Sequence, residues 1–291
     1  MATQTQSYTT DDMEYLRHGD RPLLLRLYRP AGSGPFPAVI DLHGGAWNNG
    51  DRLLCHDRAV VFAESGLATA ALDFRQAEDA YPSSLVDINY AVRWLKAHAS
   101  DLRIDPSRIG LEGQSSGGHL AMLAAMRPHD PRYAAVPLGP GTNEGNDAAP
   151  IDASVRCVGM SWPVINPLSR YRHALLGRKQ PVVPDWIEDI PERQDTYWKT
   201  EESMAEGNPL LALVRGEKLL TPPALWVNGT PDPMHAYPDP DGDGKVNEPE
   251  RFAQLYRAAG GEIDIVYVEQ AARSTNASFD PLAAFFRKHL A

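Results

Sequence analysis

A serine flanked by glycines is the most chemically suggestive feature of the sequence. Ser115 is the third residue of the segment Gly-Gln-Ser-Ser-Gly at 113–117, between a predicted strand at 108–112 and a predicted helix at 119–126. Glycines two residues on either side of a serine allow a sharp turn that exposes its hydroxyl above the helix N-terminus. We therefore predict a nucleophile at Ser115. The alternative is a tight strand-to-helix turn without chemistry.

A pair of glycines follows another predicted strand, at 38–42. Gly44 and Gly45 lie between His43 and Trp47. Consecutive glycines let backbone N–H groups point at a substrate oxygen, and with the amide of Ser116 they would form an oxyanion hole. A glycine turn packed by Trp47 is the alternative.

An acidic segment at 239–250 matches a different motif, the twelve-residue calcium loop of the EF-hand type. Its spacing predicts calcium ligands at six positions: Asp239, Asp241, Asp243, the backbone carbonyl of Lys245, Asn247 and Glu250. Prolines replace the helix that normally enters such a loop, so the segment is not part of a paired EF-hand. We expect one structural Ca²⁺ and no organic cofactor; an acidic surface turn is the alternative.

Short apolar runs alternate with helical patterns along the chain, which predicts an α/β fold with a mostly parallel sheet and helices on both faces. Seven strands are predicted: 23–28, 38–42, 67–74, 108–112, 154–160, 224–228 and 263–268. The proline-rich segment 162–220 fits neither pattern well. We interpret it as a cap inserted before the strand at 224–228, within a single domain covering 1–291.

Charge and composition exclude several partners. The net charge of the 291 residues is -10, which repels a phosphate backbone, so nucleic acid is not an expected partner. The sequence has two cysteines and no apolar run long enough to span a membrane, and its first residues lack a signal-peptide pattern. We expect a cytoplasmic protein that binds a small acyl compound and does not bind membranes. A homodimer is compatible with the sequence.

Three segments together resemble a known family. They are His-Gly-Gly-Ala-Trp at 43–47, Asp-Phe-Arg at 73–75 with Tyr-Pro at 81–82, and Gly-Gln-Ser-Ser-Gly-Gly-His-Leu-Ala at 113–121. The chain resembles α/β-hydrolase-fold esterases of the hormone-sensitive-lipase-like and feruloyl-esterase-like branch from about residue 13 to 290. The resemblance implies an eight-stranded sheet, a triad in the order serine, acid, histidine, and hydrolysis of carboxylic esters. It assigns Ser115 as nucleophile and Gly44, Gly45 and Ser116 to the oxyanion hole.

The resemblance also places the triad acid, but it leaves the histidine without a match. Asp232 lies in the turn after the strand at 224–228, where the family carries its acid. The family's histidine follows the last strand, and the corresponding loop at 268–276 contains Arg273 instead. A guanidinium does not lose its proton at working pH and cannot serve as a general base.

The candidate to replace the missing histidine is His235, three residues past Asp232. The sequence nevertheless favours a solvent-exposed loop histidine at this position over a catalytic one, and His173, in the cap, is a weaker candidate still. Two functions follow. The first is hydrolysis of small carboxylic esters, or of a related acyl compound such as a formamide. The second is a non-catalytic or differently catalytic ligand-binding protein of the same fold, which lacks the histidine.

Overall fold

The computed structural model describes residues 8–139, 151–240 and 244–291, which form one eight-stranded sheet and ten α-helices. The strands are β1 (Tyr8–His18), β2 (Arg21–Pro30), β3 (Phe36–Leu42), β4 (Ala68–Leu72), β5 (Ile104–Gln114), β6 (Val158–Ser161), β7 (Ala224–Thr230) and β8 (Ile263–Glu269). The helices are α1 (His56–Glu64), α2 (Ser83–Ala97), α3 (Ala99–Leu102), α4 (Ser116–Met126), α5 (Pro167–Gly177), α6 (Ile190–Trp198), α7 (Glu201–Glu206), α8 (Pro209–Val214), α9 (Glu248–Ala258) and α10 (Asn276–His289).

The strands are arranged in the order β1-β2-β4-β3-β5-β6-β7-β8. β2 pairs antiparallel with both β1 and β4, and every other neighbouring pair in the sheet is parallel. The predicted α/β class and mostly parallel sheet are therefore confirmed. Because β3 to β8 all run in one direction, the loops that leave their carboxyl ends meet at one edge of the sheet.

The first strand was not among the seven predicted from the apolar runs. β1 is an edge strand with one neighbour, and most of its side chains are exposed. Several of them are charged and pair with β2, as in the contact of 2.7 Å between Asp12 Oδ2 and Arg26 Nη2. An exposed edge strand does not need apolar residues at alternate positions, which is the signal used to predict the others.

Alternate side chains of the central strands pack into separate apolar clusters on the two faces of the sheet. In β3, Ile40 and Leu42 belong to the larger cluster, whereas Val39 packs with Phe62 of α1 and Phe286 of α10. α2, α4, α8 and α9 contribute to the larger cluster on the opposite face. The sheet is thus buried on both faces, as a parallel sheet requires.

Four short helices, α5 to α8, occupy the segment between β6 and β7 that the sequence assigned to a cap. Proline stands in the first turn of α5, α6 and α8, where its missing N–H costs no hydrogen bond. Asn166 and Asn208 cap α5 and α8 by accepting hydrogen bonds from Ser169 N and Leu211 N. The prolines that hid the helical pattern in the sequence therefore mark the helix starts. None of the helices in the described ranges has the length and apolarity needed to cross a membrane.

Candidate active site

The candidate residues lie at the carboxyl ends of four parallel strands. Ser115 follows β5, Asp232 follows β7, Arg273 follows β8, and the glycine pair follows β3. β3 is the direct neighbour of β5, and β8 is the direct neighbour of β7. The topology therefore places the glycines beside the serine and Arg273 beside the aspartate.

Ser115 sits on a strained turn between β5 and α4. Its φ is +53°, in the left-handed region that side-chain-bearing residues seldom adopt. A Cβ on Gly113 would lie 2.2 Å from the carbonyl oxygen of Gly117, and a Cβ on Gly117 would lie 2.4 Å from that of His43. The two glycines are therefore required for the turn to pack against the end of β3. The turn leaves Ser115 half-buried, with its side chain available.

His235 contacts both Ser115 and Asp232. Its Nε2 lies 3.3 Å from Ser115 Oγ, and its Nδ1 lies 3.0 Å and 3.1 Å from the two carboxylate oxygens of Asp232. Since Asp232 can only accept when ionised, Nδ1 carries the proton and Nε2 is free to accept from the serine hydroxyl. The structure thus brings a hydroxyl, an imidazole and a carboxylate into one chain of contacts.

A single turn of backbone sets the spacing between the carboxylate and the imidazole. The carbonyl of Asp232 accepts from the amides of His235 (3.3 Å) and Ala236 (2.8 Å), which coils the loop like a turn of helix. Residues three apart in such a turn share one face. The Asp232 side chain also accepts from the amide of Met234 at 3.2 Å, so its orientation is fixed by its own loop.

Burial makes the His235 imidazole neutral at physiological pH. His235 is 3% exposed and Asp232 is 4% exposed. Burial lowers the pKa of His235 to about 4, because it outweighs the opposing attraction of Asp232. Burial alone would raise the pKa of Asp232, but the hydrogen bond from His235 and the charge of Arg273 lower it overall. A neutral base beside an ionised acid is the combination that proton abstraction from a hydroxyl requires.

Arg273 also lies close to the Asp232 carboxylate. Its Nη1 lies 3.6 Å from Asp232 Oδ2, and its guanidinium lies 4.4 Å from the ring centroid of Trp162. The ring holds the planar cation by cation–π attraction. Arg273 therefore stands where the family's histidine was expected, but it contacts the acid rather than the serine.

The glycine loop packs directly against the nucleophile. A Cβ built on Gly44 would lie 3.4 Å from Ser115 Cβ. Gly45 has a φ of +117°, and a Cβ there would lie 1.8 Å from the carbonyl oxygen of Asn49, so only glycine fits. His43 Nδ1 hydrogen bonds to the carbonyl oxygen of Gly44 at 2.7 Å. That carbonyl shares a peptide plane with the amide of Gly45, so the bond fixes the direction of the Gly45 N–H.

Other histidines named by the sequence have structural contacts. His43 stacks on Phe74 with ring centroids 4.3 Å apart. His119 accepts from Trp47 Nε1 at 3.2 Å and donates to the carbonyl of Gly207 at 2.7 Å. His173 stacks on Tyr237 at 4.0 Å. None of these three rings makes a hydrogen bond to Ser115 within the ranges that the structure describes.

The predicted calcium ligands are only partly described. Asp241 and Asp243 lie outside the described residues. Asp239 is buried, and its carboxylate accepts from Arg251 and, at 3.4 Å, from Asn166. Asn247 caps α9, and Glu250 accepts from the hydroxyl of Tyr267. Within the described part of the chain, no three histidine, cysteine or acidic side chains converge on a metal position, and the calcium hypothesis stays a prediction.

Two features of the site were not foreseen. The sequence favoured an exposed position for His235, and the structure buries it because α5 of the cap covers its loop. The contact of Arg273 with both Asp232 and Trp162 was not predicted either. The available signal was the pairing of β8 with β7, which brings the two loops together.

The chain is similar to several known esterases. A family model described as BD-FAE matches residues 25–160. Esterase LipC of Mycobacterium tuberculosis is 29% identical over 222 residues, which are 74% of this chain and 50% of LipC. Carboxylic ester hydrolase LipN of the same organism is 27% identical over 257 residues, which are 84% of this chain and 58% of LipN. The chain thus spans about half the length of these curated relatives.

Solved structures share the fold. The thermophilic carboxylesterase EstE1 from a metagenomic library superposes with a TM-score of 0.71 at 23% identity, over 100% of this chain and 92% of EstE1. A Pyrobaculum calidifontis esterase gives a TM-score of 0.71 at 20% identity, over 98% of this chain and 87% of the esterase. At such identities the similarity shows a common fold.

The site predicts an unusually acidic titration for His235. In protein labelled with ¹³C-histidine, the His235 signal, assigned by its loss in His235→Ala, should titrate far below 6.5, toward a pKa of about 4. Arg273→Met should raise the pKa of His235 because it removes a nearby positive charge. Arg287→Met, at an exposed position of α10, should leave the pKa of His235 unchanged. A His235 pKa at or above 6.5 in the folded protein would contradict the buried geometry.

Proposed function

Since the chain is an α/β-hydrolase-fold protein related to esterases of the hormone-sensitive-lipase-like branch, we propose that it hydrolyses small carboxylic esters through Ser115, His235 and Asp232. The observation that carries the proposal is the chain of contacts from Ser115 Oγ to His235 Nε2 and from His235 Nδ1 to Asp232. A hydroxyl is a weak nucleophile unless a base takes its proton during attack. His235 is the group positioned to do so.

In the first half of the reaction, Ser115 Oγ attacks the ester carbonyl and its proton passes to His235 Nε2. The resulting imidazolium is stabilised by Asp232, which receives the Nδ1 hydrogen bond throughout. The tetrahedral intermediate then collapses, its bond to the alkoxy oxygen breaks, and that oxygen takes the proton from Nε2. The alcohol leaves and an acyl-Ser115 ester remains.

In the second half, water replaces the alcohol. His235 Nε2 takes a proton from water as the water oxygen attacks the acyl carbon. Collapse of the second tetrahedral intermediate breaks the bond to Ser115 Oγ, which recovers a proton from Nε2. The products are one carboxylic acid and one alcohol, and the protein returns to its starting protonation state.

We assign the oxyanion hole to the amides of Gly44, Gly45 and Ser116. None of the hydrogen bonds among the described residues uses the amide of Gly44 or Gly45, so both remain available to a ligand oxygen. Ser116 is the first residue of α4, whose N-terminus faces the developing negative charge. Donors fixed in advance at this position stabilise the transition state without reorganisation.

The alternative, a ligand-binding protein without catalysis, rested on the absent loop histidine. The contact between His235 and Ser115 supports catalysis over that alternative, since an imidazole lies at hydrogen-bonding distance from the hydroxyl. Arg273 had favoured the alternative, but in the structure its guanidinium lies beside the Asp232 carboxylate and adds a positive charge there. We therefore favour catalysis.

The proposed triad predicts the effect of two substitutions on ester hydrolysis. Ser115→Ala and His235→Ala should each lower kcat/KM for p-nitrophenyl acetate and butyrate by about 10³-fold or more, because either change removes activation of the nucleophile. His129→Ala is the matched control, since this exposed histidine lies past the far end of α4 from Ser115. Rapid turnover by His235→Ala would show that another group is the base.

We also propose that the loop at 239–250 binds one Ca²⁺. Its oxygen donors suit calcium, and a bridge pairs Pro238, the residue before the loop, with Asn247, its ninth residue. The amide of Glu248 donates to the carbonyl of Tyr237 at 2.9 Å, two residues past His235. A cation here would compensate the carboxylates of the loop and hold the His235 loop against α9. Its role would be positional.

Calcium should therefore stabilise the chelator-treated protein. Binding to the native state alone adds about 2.7 kcal/mol at a hundredfold excess over Kd, seen as a rise in Tm. The variant Asp241→Asn with Asp243→Asn should lose this rise, and the variant Asp185→Asn with Glu188→Gln, an equal charge change at exposed cap positions, should keep it. A titration with neither heat nor a change in Tm would exclude the site.

A further inference from the structure

Arg170 is a buried cation in the cap that the proposed reaction does not use. It lies in α5, is 2% exposed, and its Nε and Nη1 have no hydrogen-bond partner among the described residues. Burial lowers the pKa of Arg170 to about 10, so the guanidinium stays charged at neutral pH. A buried charge with unsatisfied hydrogen-bond donors is costly in a folded protein.

The contrast with Arg58 shows how the same fold treats a structural buried arginine. Arg58 is also 2% exposed, but its guanidinium contacts Asp41 at 2.5 Å and Glu112 at 2.7 Å. It also donates to Gln114 Oε1 at 3.1 Å. Two carboxylates and an amide therefore compensate Arg58, whereas Arg170 has no comparable arrangement in the described ranges.

The position of Arg170 relates it to the candidate active site. The amide of Val164, just before α5, donates to the carbonyl of Ser115 at 3.1 Å. On the inward face of α5, Ser169 Oγ lies 3.5 Å from the hydroxyl of Tyr237, and His173 stacks on the ring of Tyr237. Arg170 lies between these two residues on the same helix, so it faces the loop that carries Asp232 and His235.

The electrostatic effects agree with this placement. Arg170 lowers the pKa of His235, and Tyr237 and then Asp232 oppose the lowering of the Arg170 pKa by burial, so Arg170 lies close to these side chains. Asp232 is nevertheless committed elsewhere, because it receives hydrogen bonds from His235 and Met234 and the charge of Arg273. Nε and Nη1 of Arg170 make no hydrogen bond to this loop among the described residues, so both donors remain available to a group from outside it.

We propose that Arg170 binds a carboxylate of the substrate, so that the ester cleaved at Ser115 is one that carries a free carboxylate on its acyl or its alcohol part. The proposal rests on the proposed esterase function. A guanidinium with unused N–H donors matches a carboxylate in shape and charge. A dianionic phosphate is disfavoured, because one cation would not balance it so close to Asp232.

Two pairs of isosteric esters test the proposal. Monoethyl succinate is compared with ethyl levulinate for the acyl part, and O-acetylglycolate is compared with acetoxyacetone for the alcohol part, with proton release measured at constant pH. In each pair an acetyl group replaces the carboxylate. In one of the two pairs, the wild-type protein should have a higher kcat/KM for the anionic ester than for the neutral ester. In that pair, Arg170→Met should lower the ratio of kcat/KM for the anionic ester to kcat/KM for the neutral ester by about 10- to 100-fold.

The control is Arg172→Met, which removes a cation from the solvent side of the same helix, where Arg172 pairs with Glu201. It should leave both ratios unchanged. Arg170→Met should not lower Tm, since it removes a buried charge with two unsatisfied donor atoms. If that variant does not fold, Arg170→Gln, which is neutral and polar, replaces it. Unchanged ratios in a folded Arg170 variant, or an equal loss on both esters with a lower Tm, would overturn the proposal.

Failure of the esterase function gives a different result from failure of this inference. If the wild-type protein hydrolyses only the neutral esters, the function stands and the Arg170 inference is wrong. If it hydrolyses neither the anionic nor the neutral esters, calorimetry of succinate with the Ser115→Ala variant tests the carboxylate site by itself. Binding that Arg170→Met abolishes supports a carboxylate site without catalysis, and no binding overturns the site.

Discussion

The contact between Asp232 and His235, three residues apart in one turn of backbone, is the constraint on which the rest of the site depends. The turn hydrogen bonds of Asp232 place both side chains on the same face, so the acid and the base need no second loop to meet. The loop after β8 therefore does not have to supply a histidine as the base. Arg273 uses that position to support the acid, with its guanidinium held over Trp162.

The arrangement of the strands determines how the loop that carries His235 reaches Ser115. β7 is separated from β5 by one strand, and their carboxyl ends share an edge, so the loop after β7 has to reach across β6. The cap closes over this loop through α5, with His173 and Tyr237 stacked between them. Burial by the cap is the main cause of the lowered pKa of His235. The same cap carries Arg170 with its unsatisfied donors, so it bears on both the proposed catalysis and the proposed selectivity.

Local patterns predicted the parts of the site that local geometry controls. The turn at Ser115 and the glycines at 44 and 45 each depend on a few adjacent residues and were identified from those residues, whereas Asp232 was identified through the family resemblance. The burial of His235 was not, because it depends on how a distant helix packs. Arg170 was missed because the prolines of the cap obscured α5, so the inward face of that helix could not be identified from the sequence. β1 was missed because an exposed edge strand carries no apolar alternation.

The central claim is that His235 takes the place of the loop histidine as the base for Ser115. The most direct test is a crystal structure of the protein after reaction with a phosphonate ester, which forms a tetrahedral adduct resembling the intermediate of ester hydrolysis. We expect phosphorus bonded to Ser115 Oγ, His235 Nε2 within hydrogen-bonding distance of the adduct, and the Asp232 carboxylate hydrogen bonded to His235 Nδ1. An adduct with His235 turned away, and another side chain or no base facing Ser115, would contradict it.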